Sequence, residues 1–191
     1  MNTNEKLMNE YLESAKNTFR QYKALGEKTY AQLSDEQLCL TVGEASNSIA
    51  TIVKHLRGNM LSRWTDFLTT DGEKPDRNRD AEFEPEPTSR AALMSQWNEG
   101  WNCILNTLDG LSASDLSRQV LIRNEPHTVV AAINRQLAHY AYHIGQIVFL
   151  GKMLCNNNWK SLSIPRGGSE AYNERVFAGK NPSQEDDENN Q

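Results

Sequence analysis

The chain has 191 residues, 38% of them apolar and 24% charged, with a net charge of −5. A chain of this length buries roughly 70% of its unfolded surface and needs neither disulfides nor a structural metal to hold a core. The acidic balance argues against a nucleic-acid footprint, and no stretch approaches the ~18 apolar residues of a membrane span. The polar amino terminus and the three scattered cysteines, Cys39, Cys103 and Cys155, fit a reducing, cytoplasmic location.

Apolar residues recur at helical spacing in four long windows. The first spans residues 5–33, with Leu7, Met8, Tyr11, Leu12, Ala15, Phe19, Tyr22 and Leu25 on its stripe. The second spans 48–68, from the cap formers Ser46, Asn47 and Ser48 to Phe67. The third opens after Pro87 with Thr88 as cap and carries Leu93, Trp97, Trp101, Ile104, Leu105 and Leu108. The fourth begins near Thr128 and runs through Ile133, Tyr140, Ile144 and Ile147 to Leu154.

Four such helices predict an all-α fold, a bundle. Short alternating runs at 38–42 and 120–123 read as extended segments or a two-stranded clip. Residues 71–87 form an uncommonly long connection without periodicity, which either crosses the bundle end or carries function. Residues 156–177, with Trp159, Leu162 and Ile164, read as packing back onto the bundle. The polar residues 178–191 read as a disordered tail after a domain over 1–177.

Two of the four histidines form His139-Tyr-Ala-Tyr-His143 in the fourth helix. Spacing of i, i+4 sets both imidazoles on one side, one turn apart, within reach of a single cation. His55 in the second helix is the third candidate ligand. All three flank the apolar stripes of their helices, which suits a water-accessible cleft; the plain alternative is three partly exposed side chains. His127, before the fourth helix, reads as a cap or loop residue.

Absent residues narrow the chemistry. Tyr140 stands where the glutamate of H-E-x-x-H would be, and Gln136 and Tyr140 precede the two histidines where Glu-x-x-His would need carboxylates. What remains is one divalent ion on three neutral nitrogens, with an open position for an anionic ligand. Zinc or nickel comes first among the metals that imidazole suits. Asn59, Gln136 and Gln146 project toward the same side, and serve either to orient imidazoles and substrate or as ordinary solvated amides.

On these residues the sequence resembles the DinB and YfiT-like superfamily of metal-binding four-helix bundles. The fit covers nearly the whole chain, through the histidine of helix two and Arg135-Gln-Leu-Ala-His139-Tyr-Ala-Tyr-His143-Ile-Gly-Gln146. An uncharacterised bacterial branch is resembled through His55-Leu-Arg-Gly-Asn-Met-Leu-Ser-Arg-Trp-Thr-Asp66, Asp71-Gly-Glu-Lys-Pro-Asp-Arg-Asn-Arg-Asp80 and Ile164-Pro-Arg-Gly-Gly-Ser169. The resemblance implies an up-down-down-up bundle with the long crossover between helices two and three. It also implies a metal site of His55, His139 and His143, and a homodimer. Relatives include transferases that use a low-molecular-weight thiol such as bacillithiol.

The leading expectation is therefore a metal-dependent enzyme in which a thiolate attacks a small electrophilic molecule. Arg63, Arg77 or Arg166 would receive carboxylates of the thiol cofactor, against the plainer reading of each as a surface ion pair. A metal-dependent hydrolase and a non-catalytic, stress-related metal or ligand binder are the alternatives, since one fold hosts many functions.

Overall fold

Each of the four periodic windows is a long helix in the computed structural model, which describes residues 3–179. They are α1 (Thr3–Tyr30), α3 (Ile49–Trp64), α4 (Arg90–Asp109) and α5 (Val129–Cys155), with a short α2 (Asp35–Cys39) between the first two. The fold is mostly helical, with one small sheet.

Local chemistry sets the helix ends. Ser48 and Thr128 cap α3 and α5 as their positions predict, each side chain accepting from the backbone N–H three residues on. The cap of α4 is Ser89, one residue later than Thr88, with Oγ accepting from Ala92 N at 3.2 Å. The expected extended run at 38–42 begins instead inside α2. Ser34 and Gln37 form a capping box there, Ser34 N donating to Gln37 Oε1 at 2.8 Å, and Leu38 is buried.

The extended run at 120–123 is real but has a different partner. β1 (Gln119–Ile122) pairs antiparallel with β2 (Glu125–Thr128), so His127 lies in a strand opposite Val120. Arg123 and Asn124, at φ 55° and 62°, make the tight turn whose twist matches that of the flanking strands.

Helix α3 packs chiefly on α4 and α1 chiefly on α5, while α3–α5 and α1–α4 contacts complete the core. Its centre is aromatic: Phe19, Trp64, Trp97, Trp101 and Tyr140 are all fully buried, with Phe19 and Tyr140 ring centroids 5.8 Å apart. Trp64, Trp97 and Trp101 are thus plain core. Close approach of α3 and α4 needs Gly100, where a Cβ would lie 2.9 Å from Met60 Sδ and 3.2 Å from Arg57 Cα. At the start of α1 the expected stripe fails, since Leu7 is 65% exposed.

The chain divides into two units after residue 157. The second contains the Pro165-Arg166-Gly167-Gly168 turn, closed by Gly168 N donating to Pro165 O at 2.9 Å, and then α6 (Ser169–Phe177). Most of the expected polar tail, residues 180–191, lies outside the described residues. Among those described, no helix is long and apolar enough to cross a membrane, and all three cysteines are free.

Candidate metal centre

His55 comes from the middle of α3, His139 and His143 from the middle of α5, and the three converge. One ring nitrogen of each lies within 4.8 Å of the other two. His139 Nε2 is 3.4 Å from His55 Nε2 and 3.1 Å from His143 Nε2. Nitrogens bound tetrahedrally to zinc at ~2.0–2.1 Å stand about 3.3 Å apart, so the spacing suits a small divalent ion. His55 and His143 are buried, at 4% and 8% exposure, where flanking, partly exposed side chains were the simpler expectation.

The outward nitrogens decide which way the inner ones face. His55 Nδ1–H donates to Glu82 Oε2 at 2.8 Å and His143 Nδ1–H donates to Gln146 Oε1 at 2.8 Å, leaving both Nε2 atoms with bare lone pairs. Gln146 is held in that sense by donating through its amide to the Tyr142 hydroxyl at 3.1 Å. His139 can donate one proton to one of two waiting acceptors. A cation satisfies all three lone pairs at once, which is the arrangement that carboxylate-backed histidine ligands take around a metal. The residues therefore fit a divalent ion.

Electrostatics point the same way. Burial, then the neighbouring His143 and His55, push the His139 pKa down to about 3. Burial and His55 push that of His143 down to about 4. Both rings are thus neutral and ready to bind. For each, the folded value lies below the ordinary 6.5, so the unfolded chain takes up the proton first as pH falls. The contribution to stability is complete above 6.5 and is lost progressively toward about 4 and then 3. Thermal melts of metal-free protein across this window should show Tm falling below 6.5, and a His139→Asn/His143→Asn double variant should flatten the decline.

Glu82, on the 3₁₀ turn at Asp80–Phe83 within the long connection, is the residue that sequence reasoning missed. It is 7% exposed and takes Arg77 in a two-pronged grip, Nε at 2.8 Å and Nη2 at 2.9 Å. Burial opposes its charge, but the hydrogen bonds from His55 and Arg77 outweigh it and hold its pKa below the usual value. Phe83 lies over His55 with ring centroids 4.8 Å apart. Residues 71–87 therefore build the back of the site.

Asp71 anchors this segment. Its carboxylate accepts from the backbone N–H groups of Glu73, Arg123 and Asn124 at 2.7 to 2.8 Å, and Gly72 N donates to Leu121 O at 2.8 Å. The hairpin and the connection are thereby joined.

The other expected site residues divide. Gln146 touches a histidine, as above. Asn59 is buried and accepts from the Tyr140 hydroxyl at 3.0 Å, which in turn accepts from Trp64 Nε1 at 3.0 Å. Gln136 is buried and, like Asn59, lines the cavity onto which the histidines open. Arg63 and Arg77 make ion pairs with the acidic loop, as their plainer reading held, but with their side chains buried and not at the surface. Arg63 donates to Glu73 Oε2 at 3.0 Å and to the Gly72 carbonyl. Arg166 belongs to the second unit, and His127 stays outside the histidine cluster.

The profile of a protein family of unknown function, DUF1572, matches residues 6–168, from the first turn of α1 through the hairpin and α5. The chain belongs to that family. No curated protein matches it. In this DUF1572 chain the histidines open onto a cavity of about 560 Å³, large enough for a metabolite-sized ligand.

Proposed function

We propose that this protein is a divalent-metal enzyme, with zinc or nickel on His55, His139 and His143. In this reading its core is an up-down-down-up bundle of the DinB-like type, and in its reaction the sulfur of a low-molecular-weight thiol such as bacillithiol displaces the leaving group of a small electrophile, the S–C bond replacing the carbon–leaving-group bond and the thiol proton passing to solvent. The observation that carries the reading is the trio of inward Nε2 atoms, two of them with their tautomers set from behind by Glu82 and Gln146. A divalent ion there would supply positive charge that favours the thiolate over the thiol at neutral pH.

Among the described residues no carboxylate lines the cavity, and Glu82 is already engaged by His55 and Arg77. This weighs against a hydrolase that takes the proton of water with a side-chain base. An ion that ionises a thiol ionises bound water too, so assay decides between the two. Zinc-loaded protein, bacillithiol and an alkylating electrophile should give conjugation well above the rate without protein. An equal rate would sink the thiol reading, and ester or amide turnover without thiol would favour hydrolysis.

A homodimer seated on the outer face of α5 belongs to the same proposal. Phe149 and Met153, 65% and 44% exposed, give that face its apolar character. Sedimentation should show a dimer for the natural chain and a monomer for Phe149→Glu.

A further inference from the structure

Five guanidinium groups, those of Arg63, Arg77, Arg79, Arg123 and Arg135, line the cavity over the histidines, in a chain whose net charge is −5. Their neutralisation is incomplete. Glu73 alone serves Arg63, Arg77 and Arg123, at 3.0, 3.5 and 3.0 Å, and Glu82 serves Arg77 again. Arg79 and Arg135 are exposed and have no acidic partner among the described residues; Arg79 lies over the Phe83 ring, 4.9 Å from its centroid. Cations crowded around a concave, partly dry wall repel one another and focus their field into the opening.

Arg63, 6% exposed, also has an Nε–H with no acceptor, so this wall carries a buried donor beyond those its ion pairs use. Guanidinium forks match the paired oxygens of carboxylates and phosphates.

We propose that the cavity binds a small organic oxyanion, a carboxylate or phosphate ester, with its charged end on Arg79, Arg123 and Arg135. Only the placement of its reactive end, toward the histidines, rests on the metal-centre reading. The anion subsite has its own observations.

The test uses the metal-free full chain, titrated calorimetrically with inorganic phosphate and separately with succinate, with uncharged succinamide as control. Either anion should bind, more weakly as salt is added, and succinamide should not. Binding of phosphate alone assigns the site to phosphate groups, and of succinate alone to carboxylates. The double variant Arg79→Gln/Arg135→Gln should weaken binding by about tenfold or more and still take up zinc as the natural chain does. The variant His55→Ala/His139→Ala/His143→Ala should lose zinc and keep the anion, so failure of the metal centre is told apart from failure of this proposal. Absence of binding by either anion, or equal binding by the arginine double variant, would overturn it.

Discussion

Changing His55, His139 and His143 together to alanine is expected to abolish metal binding. Elemental analysis should find one zinc or nickel per natural chain and none in the variant. The candidate ligands come from α3 and α5, His55 and His139 being 84 positions apart, so a bound ion would join two remote parts of the chain. An ion that binds only the folded state, at about a hundredfold excess over its dissociation constant, adds about 2.7 kcal/mol. In a chain of this size that raises Tm by roughly 5–10 °C. The natural chain should show that rise on adding zinc. The triple variant should melt at one temperature with or without it, and a retained far-ultraviolet helix signal would show that the fold survives.

Removing Glu82 should cost more than removing any other residue that touches a ligand from behind. Glu82→Ala strands the buried Arg77 guanidinium, 5% exposed, and frees His55 to rotate or change tautomer. Breaking a buried pair by taking away one member typically costs about 3–5 kcal/mol. Losing the carboxylate behind a metal-bound histidine typically lowers affinity about 10- to 100-fold. Glu82→Gln separates the two effects, because its amide oxygen can still accept from His55 Nδ1 while the charge opposite Arg77 is gone. A second route leaves every polar group in place. Gly58 faces the Glu82 carboxylate so closely that a Cβ would overlap it, and Gly58→Ala should therefore push Glu82 out and weaken metal binding. Zinc competition with a chromophoric chelator measures all three; unchanged affinity in Glu82→Ala and Gly58→Ala would show that the carboxylate plays no part.

The contrast between the histidines and Glu82 shows what kind of information a sequence carries. Helical periodicity fixes which side chains share a face, so the His139 and His143 pair, and His55 at a similar offset on its own helix, could be recognised without coordinates. Glu82 stands in a segment with no period. Glu73, Asp76, Asp80, Glu82, Glu84 and Glu86 are equivalent in the string, and only the path of the backbone selects the one that reaches His55.

Elsewhere the local signals were present but short. The Ser34–Gln37 capping box turned an apparent strand into α2. Arg123 and Asn124 could adopt the left-handed turn that brings β2 back onto β1, giving that strand a neighbour from the adjacent residues and not from 38–42. Arg63 and Arg77 illustrate a different limit. Their charge made the surface the plainer choice, and their burial depends on Glu73 and Glu82, each supplied by a loop.

One carboxylate, Asp71, ties the back of the site to the hairpin, because three amides from two stretches of chain end on it. Beside it Glu73 pairs with Arg123 of the hairpin and with Arg77, and Arg77 grips Glu82 behind His55. An ion held at the histidines would then be sensitive to opening of this latch, some distance in sequence from every imidazole.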